Sequence, residues 1–542
     1  MPLPDPRVTG SLTRPAQHHR TPAPLHARTT EHTHHRIIRT IHEAAPVSHT
    51  PARTTEPSGA PTGALDRFFH ISARGSTVGR EIRGGLATFF AMSYIVVLNP
   101  LIIGAAADST GLFLGGGTEP NLPAVAAATS LVSGLLTILM GVVGNFPMAV
   151  SSSLGLSAFI TYGIVVLPGM TWADAMGLVV IEGIILLILV LTGFRSAIFN
   201  AVPGQLKTAI SVGIGLFIAL IGMINAGFIS RGSGAGLELG TGGFLTGWPM
   251  LVFLISLLAL FVMWAARVRG AILYSIVGAT VLALVLEAVF RIGPKTGADG
   301  EVANPQGWGL TVPTLDQQWF TLPDLSLLGS FNLLGSWQHV GVVAAALAVF
   351  TLLLANFFDL LGTMVGIANE GDIKDRHGEI PQSKRIMVAD ALGAIGGGMG
   401  STSVNSGFVE STVGVGDGAR TGLANVVTGI MFLATIVLAP LAAVIPTEAA
   451  AATLVLVGFL MMQQIVRVDW ADVEIAIPAF MTIVLMPFSY SITNGIGAGF
   501  ITYVVIKLFR GKGREVHALM YVTAALFVVY FVSGPLQAAL GS

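Results

Sequence analysis

From residue 84 onward the chain is a succession of apolar runs, most of them close to the length that spans a bilayer, separated by short polar breaks. A helix of about 20 apolar residues crosses the hydrocarbon core of a membrane. Within lipid every backbone N–H and C=O must bond inside the protein, so only helices or closed barrels can cross. The ten-residue alternation of a barrel is absent, and the runs therefore predict an all-α integral membrane protein embedded in the lipid bilayer. Charge agrees: 11% of the residues are charged and 53% are hydrophobic, whereas soluble domains carry about 25% charged residues. No basic patch points to nucleic acid. With no cysteine there is neither a disulfide framework nor thiol chemistry.

The runs fall near 84–105, 123–144, 154–167, 173–194, 208–228, 248–266 and 271–290. After a polar loop at 291–338 they resume at 340–369, 386–399, 404–415, 421–445, 450–466, 474–490 and 495–509. That is seven plus seven, fourteen membrane-spanning helices. A further run at 516–534 is either a fifteenth crossing or an interfacial helix. Basic residues test the count, because cytoplasmic loops are enriched in Lys and Arg. With Arg67, Arg74, Arg80 and Arg83 inside, the alternate loops hold Arg195 with Lys207, Arg267 with Arg269, Lys374 to Arg385, Arg420, Arg467 and Lys507 to Arg514. The intervening loops hold few. The N-terminus is thus expected in the cytoplasm and the protein in the cell membrane. No cleavable signal peptide is expected, since the first apolar run begins only after Arg83. Residues 1–64, rich in Pro, Thr, Arg and His, read as a disordered tail or as the product of an early start codon. Its eight histidines lack the spacing of a metal site, and no metal or cofactor is expected.

Two runs are not ordinary spans. Asn145–Tyr162 (NFPMAVSSSLGLSAFITY) and Gly396–Arg420 (GGGMGSTSVNSGFVESTVGVGDGAR) each place a Ser/Gly cluster before a short apolar half-helix. Paired interruptions at corresponding places in two halves point to a transporter binding site, where non-helical backbone lines a cavity. Close packing of small residues would explain the glycines, but not the carboxylate of Glu410.

A charged side chain at membrane depth costs at least about 2.5–3.5 kcal/mol, which makes each one a functional candidate. Glu182, Glu287, Asp359, Asp390 and Glu410 qualify. Glu287 and Asp390 lie near run ends and read as structural. Asp359 sits in ANFFDLLGTMVGIAN with Asn356, Thr363 and Gly366 at i−3, i+4 and i+7, a small, polar helix face that belongs inside the protein. Asp359 and Glu410 are expected to face one hollow, where carboxylates carry protons and accept hydrogen bonds from ligand N–H groups. No HExxH, phosphate-binding loop or nucleophile–His pairing suggests an enzyme.

The motifs TVGREIRGGLATFFAMSYIVVLNP (77–100), QLKTAISVGIGLFIALIGMINAG (205–227), FFDLLGTMVGIAN (357–369), FVESTVGVGDGARTGLANVVTG (408–429) and AIPAFMTIVLMPFSYSITNGIGAGFI (476–501) resemble the AzgA-like purine permeases, a branch of the nucleobase–cation symporter 2 superfamily. The resemblance runs in order from about Leu65 to Arg510. It implies two inverted seven-helix repeats, with a core domain (84–194 and 340–445), a gate domain (205–291 and 450–510) and short strands in the broken third and tenth spans. Residues 511–542 stand apart as a C-terminal segment with an extra apolar helix. It implies proton-coupled uptake of adenine, guanine, hypoxanthine or similar bases, and a homodimer formed through the gate domain. Carried over by position, Asp359 and Glu410 would bind the base and couple protons, Phe408 would stack on the base, Thr363 would line the cavity, and Gly155 and Ser157 would present backbone N–H groups. Glu182 is a further candidate for coupling. The stretch SSSLGLSA departs from the branch's usual APGMGLNA, and STSVNSGFVES lacks the usual Thr run, so the base itself stays open. The alternatives are a uracil/xanthine-type permease or an anion transporter on the same fold.

Overall fold

The computed structural model describes residues 63–193, 202–231, 236–268, 270–297, 302–315, 322–374 and 379–540. The expected tail over 1–64 lies outside these save for its last two residues, as do Arg195, Arg269 and Arg376.

In chain order the helices are α1 (Ala64–Phe69), α2 (Val78–Met92), α3 (Ile95–Ile103), α4 (Leu122–Leu139), α5 (Leu154–Phe159), α6 (Trp172–Thr192), α7 (Gly204–Asn225), α8 (Trp248–Ala265) and α9 (Ala271–Phe290). The second half holds α10 (Gly335–His339), α11 (Gly341–Glu370), α12 (Ser383–Met399), α13 (Ser411–Gly416), α14 (Gly422–Thr435), α15 (Thr447–Met462), α16 (Val473–Phe488), α17 (Ile492–Phe509) and α18 (Ala518–Leu540). Among the described residues ten helical segments are long and apolar enough to cross a membrane, and shorter apolar helices lie at Leu154–Ile164, Val473–Phe488 and Ala518–Val532. The protein is a multi-pass membrane protein. On α9, Tyr274, Val277, Val281, Val285 and Val289 are exposed at helical spacing, an apolar stripe whose natural neighbour is lipid.

The first membrane helix starts earlier than the hydropathy suggests. Thr77 caps α2 by accepting from the Arg80 backbone N–H, and Glu81 occupies the first turn. A charged stretch can therefore begin a helix that enters the membrane. Glu81 also accepts from the Arg420 and Thr421 backbone N–H groups, at 2.9 and 3.2 Å. Glu287 is structural as expected: it accepts from Trp308 Nε1 at 2.7 Å and Ile292 N at 3.0 Å, closing the end of α9.

Glycines bring the helices together. A Cβ on Gly215 of α7 would lie 2.8 Å from the Gly458 carbonyl oxygen of α15, and one on Gly458 would lie 2.4 Å from that of Gly215. Neither position tolerates a side chain, which is how membrane helices approach without a hydrophobic driving force.

At the centre the two interrupted segments meet as strands. β1 (Val150–Ser152) and β4 (Asn405–Gly407) pair antiparallel, with Val150 opposite Gly407 and Ser152 opposite Asn405, and all six residues are buried. β1 leads into α5, which continues as a wider turn over Ile160–Ile164, and β4 leads into α13. A separate hairpin, β2 (Ile229–Arg231) with β3 (Leu237–Leu239), lies between α7 and α8.

Candidate functional site

The strand pair is tied from behind. Asp390 of α12 accepts from the Ser406 hydroxyl at 3.0 Å and from Gly407 N at 3.1 Å. The three serines of the Ser151–Ser153 run have three different partners. Ser151 bonds Ser133 at 2.6 Å and Ser152 donates to the Thr402 carbonyl at 2.7 Å. Ser153, just past β1, faces Asp359.

The two acids expected to share a hollow are brought together. Glu410 is the cap residue of α13 and its charge acts on Asp359, which comes from the middle of α11. Asp359 is exposed on its helix face. Open space borders the same helix face. A Cβ built on Gly362 or on Gly366 meets no atom within 4 Å. Glu410 is half-buried and accepts the Tyr94 hydroxyl at 2.5 Å. A space flanked by two carboxylates can receive a small polar molecule rich in N–H donors.

The remaining expected residues are distributed less evenly. Thr363 lies one turn beyond Asp359 and is buried. Phe408 donates its backbone N–H to the Ala149 carbonyl at 2.9 Å, extending the strand pairing, and its ring is buried in the main apolar core. Gly155 sits in the first turn of α5, where a Cβ would come within 3.2 Å of Ile214 of α7. Ser157 faces elsewhere: its hydroxyl donates to Asn99 Oδ1 at 2.9 Å, and its backbone N–H to the Ser153 carbonyl at 2.8 Å. Glu182 is fully buried and accepts from Asn356 Nδ2 at 3.1 Å, behind α11 rather than on its open face.

Three residues were not singled out from sequence. Tyr94 stands in the break between α2 and α3, a tyrosine beside Ser93 in an otherwise apolar stretch, which is the one feature that could have drawn attention to it. Ser153 gave no cue distinct from its neighbours. Lys207, counted among the loop residues, lies in the first turn of α7 with Nζ 4.5 Å from the centre of the Phe358 ring, next to Asp359. At the far end of α7, Asn225 donates to the Tyr162 hydroxyl at 3.0 Å, and Tyr490 packs edge-on against Tyr162 and Phe217.

Residues 79–498 match the model of a family described as the Permease family. The adenine permease AdeP of Escherichia coli strain K12 is 34% identical over 479 residues, covering 88% of this chain and 98% of that protein. The guanine/hypoxanthine permease PbuG of Bacillus subtilis strain 168 is 34% identical over 469 residues, 86% of this chain and 99% of that protein. These matches bear out the resemblance read from the motifs. Among solved structures, SLC26A9 superposes with a TM-score of 0.53 at 16% identity, over 80% of this chain and 66% of that one, a likeness of fold.

Proposed function

Because the chain belongs to the Permease family, we propose that it is a secondary active transporter that carries purine nucleobases of the adenine, guanine or hypoxanthine kind across the cell membrane together with protons. Relatives named as adenine and guanine/hypoxanthine permeases align along almost their whole length, which supports the substrate class. The observation that carries the reading is the convergence of Asp359 and Glu410 on open space beside the strand pair.

In this reading the flat base lies between the starts of α5 and α13. Asp359 and Glu410 accept its N–H groups, the first backbone N–H groups of α5 meet its ring acceptors, and Phe408 and Thr363 bound the space. Gly155 keeps the start of α5 close to α7, and Ser157 holds α5 through Asn99. A charged site crosses low-dielectric surroundings at high cost. Protonation of one acid neutralises the loaded site and lets it move, so the proton gradient and substrate flux are linked. No cofactor is needed beyond the proton.

The moving parts would be a core domain (84–194 and 340–445) and a gate domain (205–291 and 450–510), built from fourteen spans in two inverted seven-helix repeats, with the N-terminus cytoplasmic and a homodimer formed through the gate. Packing of α7 along α15 and α16, and of α16 along α17, supports the gate grouping. So does the Gly215–Gly458 pair, whose residues occupy the fifth and twelfth spans, equivalent positions in the two repeats.

The test is uptake of labelled base in cells at two external pH values, with purines, pyrimidines, sulfate and bicarbonate as competitors. Purines alone should compete, uptake should rise at the lower external pH, and Asp359→Asn should abolish the proton-linked part while the protein still inserts. Undiminished proton-linked uptake by D359N would remove Asp359 from the mechanism. Competition by anions and not purines would overturn the substrate.

A further inference from the structure

The helix that carries Asp359 has a second acid behind it, in very different surroundings. Glu182 of α6 and Asn356 of α11, one turn before Asp359, are both at 0% exposure. Asn356 Nδ2 donates to Glu182 Oε1 at 3.1 Å. The other two atoms of the pair, Glu182 Oε2 and Asn356 Oδ1, are buried and have no hydrogen-bond partner. An ionised carboxylate has no donor and an amide oxygen is only an acceptor, so the ionised pair would bury two orphan acceptors and one uncompensated charge. Each orphan alone carries a desolvation cost, and the uncompensated charge a larger one.

Among the described residues no cation acts on the pair to relieve this. The charged group facing Glu182 from α12 is Asp390, another acid, whose own Oδ2 is unpartnered. On α11 the nearest ionisable group is Asp359. On α10, His339 is engaged at 2.8 Å by Asp174, at the start of α6 and roughly 12 Å along that helix from Glu182. Nor is either residue exposed to bulk solvent. Directly beside it, a Cβ on Gly183 would lie 2.7 Å from Ile395 N, so α6 and α12 are in backbone contact.

One proton resolves every term. Bound to Glu182 Oε2, it turns that atom into a donor for Asn356 Oδ1, removes the charge, and closes a two-bond ring between carboxylic acid and amide. We propose that Glu182 is a sealed proton site: it is held protonated, shares that proton with Asn356, and pins the Asp359 helix to α6 without exchanging protons with the hollow. This builds on the reading of Asp359 and Glu410 as the exchanging acids, and makes Glu182 a positioning residue for Asp359.

The proton can be seen directly. Infrared spectra of the purified full-length protein at neutral pH should contain the carbonyl band of a protonated carboxylic acid that Glu182→Gln loses and Asp359→Asn keeps. Identical spectra for wild type and E182Q in that region would overturn the proposal. This readout needs no substrate, so it stands or falls apart from the nucleobase reading. Transport supplies a second arm. Glutamine can make both bonds, so E182Q should keep the wild-type pH profile of uptake, while Glu182→Leu, which makes neither, should lose uptake. An E182Q protein whose pH profile is shifted or flattened would instead make Glu182 an exchanging acid and overturn the sealed site.

Discussion

Tyr94 donates its hydroxyl to Glu410 Oε1 across 2.5 Å, tying the break between α2 and α3 to the cap of α13. The two residues are separated by 316 positions in sequence, and the bond fixes one of the two acids proposed to bind the base. A hydrogen bond to a charged group contributes about 1.5–3 kcal/mol, which corresponds to roughly 10–100-fold in rate or affinity. Tyr94→Phe keeps the ring and deletes the donor, so initial uptake per transporter should fall by about that factor with membrane abundance unchanged. Wild-type uptake by Y94F would mean that Glu410 needs no such orientation.

Gly362 discriminates between a ligand space and a lipid face. Nothing lies within 4 Å of a Cβ placed there, one turn from Asp359. Gly362→Leu should fold at least as well as wild type, since leaving glycine improves helix propensity by up to about 1 kcal/mol. Its side chain would occupy the hollow, and base binding and uptake should be lost. Normal transport by G362L would show that this helix face borders lipid.

Asp359 and Glu410 were legible in the sequence because an ionisable group inside an apolar run carries a cost that demands an explanation. The broken segments were legible for a related reason, since Gly and Ser clusters interrupt a hydropathy pattern that otherwise repeats. The partners of these groups were not legible. Three-residue strands have no detectable period, so the register of Val150 on Gly407 cannot be read from either stretch alone. Ser151, Ser152 and Ser153 are identical in sequence, and only the fold distinguishes the one that meets Asp359 from the two that brace the strands. Ser157 marks the limit of arguing by position, because its hydroxyl is engaged by Asn99, a residue brought near by a different helix.

The Gly215–Gly458 contact makes a stability prediction with an internal control. Alanine at 458 would place its Cβ 2.4 Å from the Gly215 carbonyl oxygen, so α7 and α15 must separate. Overpacking of this kind costs about 1–3 kcal/mol. Thermal unfolding of the purified protein should occur at lower temperature in Gly458→Ala, whereas Gly366→Ala, at a position with open space, should show no loss. Equal stability of the two variants would contradict the close approach.

Asp108 ties the polar loop after α3 to the start of α6. Partial burial pushes its carboxyl pKa up, but bonds from the Thr110 hydroxyl and backbone N–H and from the Leu112 and Trp172 N–H groups outweigh this and hold it below the usual carboxylate value. The bonds from Thr110 are 2.6 and 2.9 Å long and that from Trp172 N is 3.2 Å. A group whose folded pKa is depressed stabilises the fold above its unfolded pKa, near 3.9, and loses that contribution as pH falls through the folded value. Asp108→Asn should therefore cost about 1 kcal/mol at neutral pH, read as a lower unfolding temperature, and the gap from wild type should narrow as the pH is lowered through about 4. A gap of constant size across that range would mean that the Asp108 charge contributes nothing, and that only its shape holds the loop against α6.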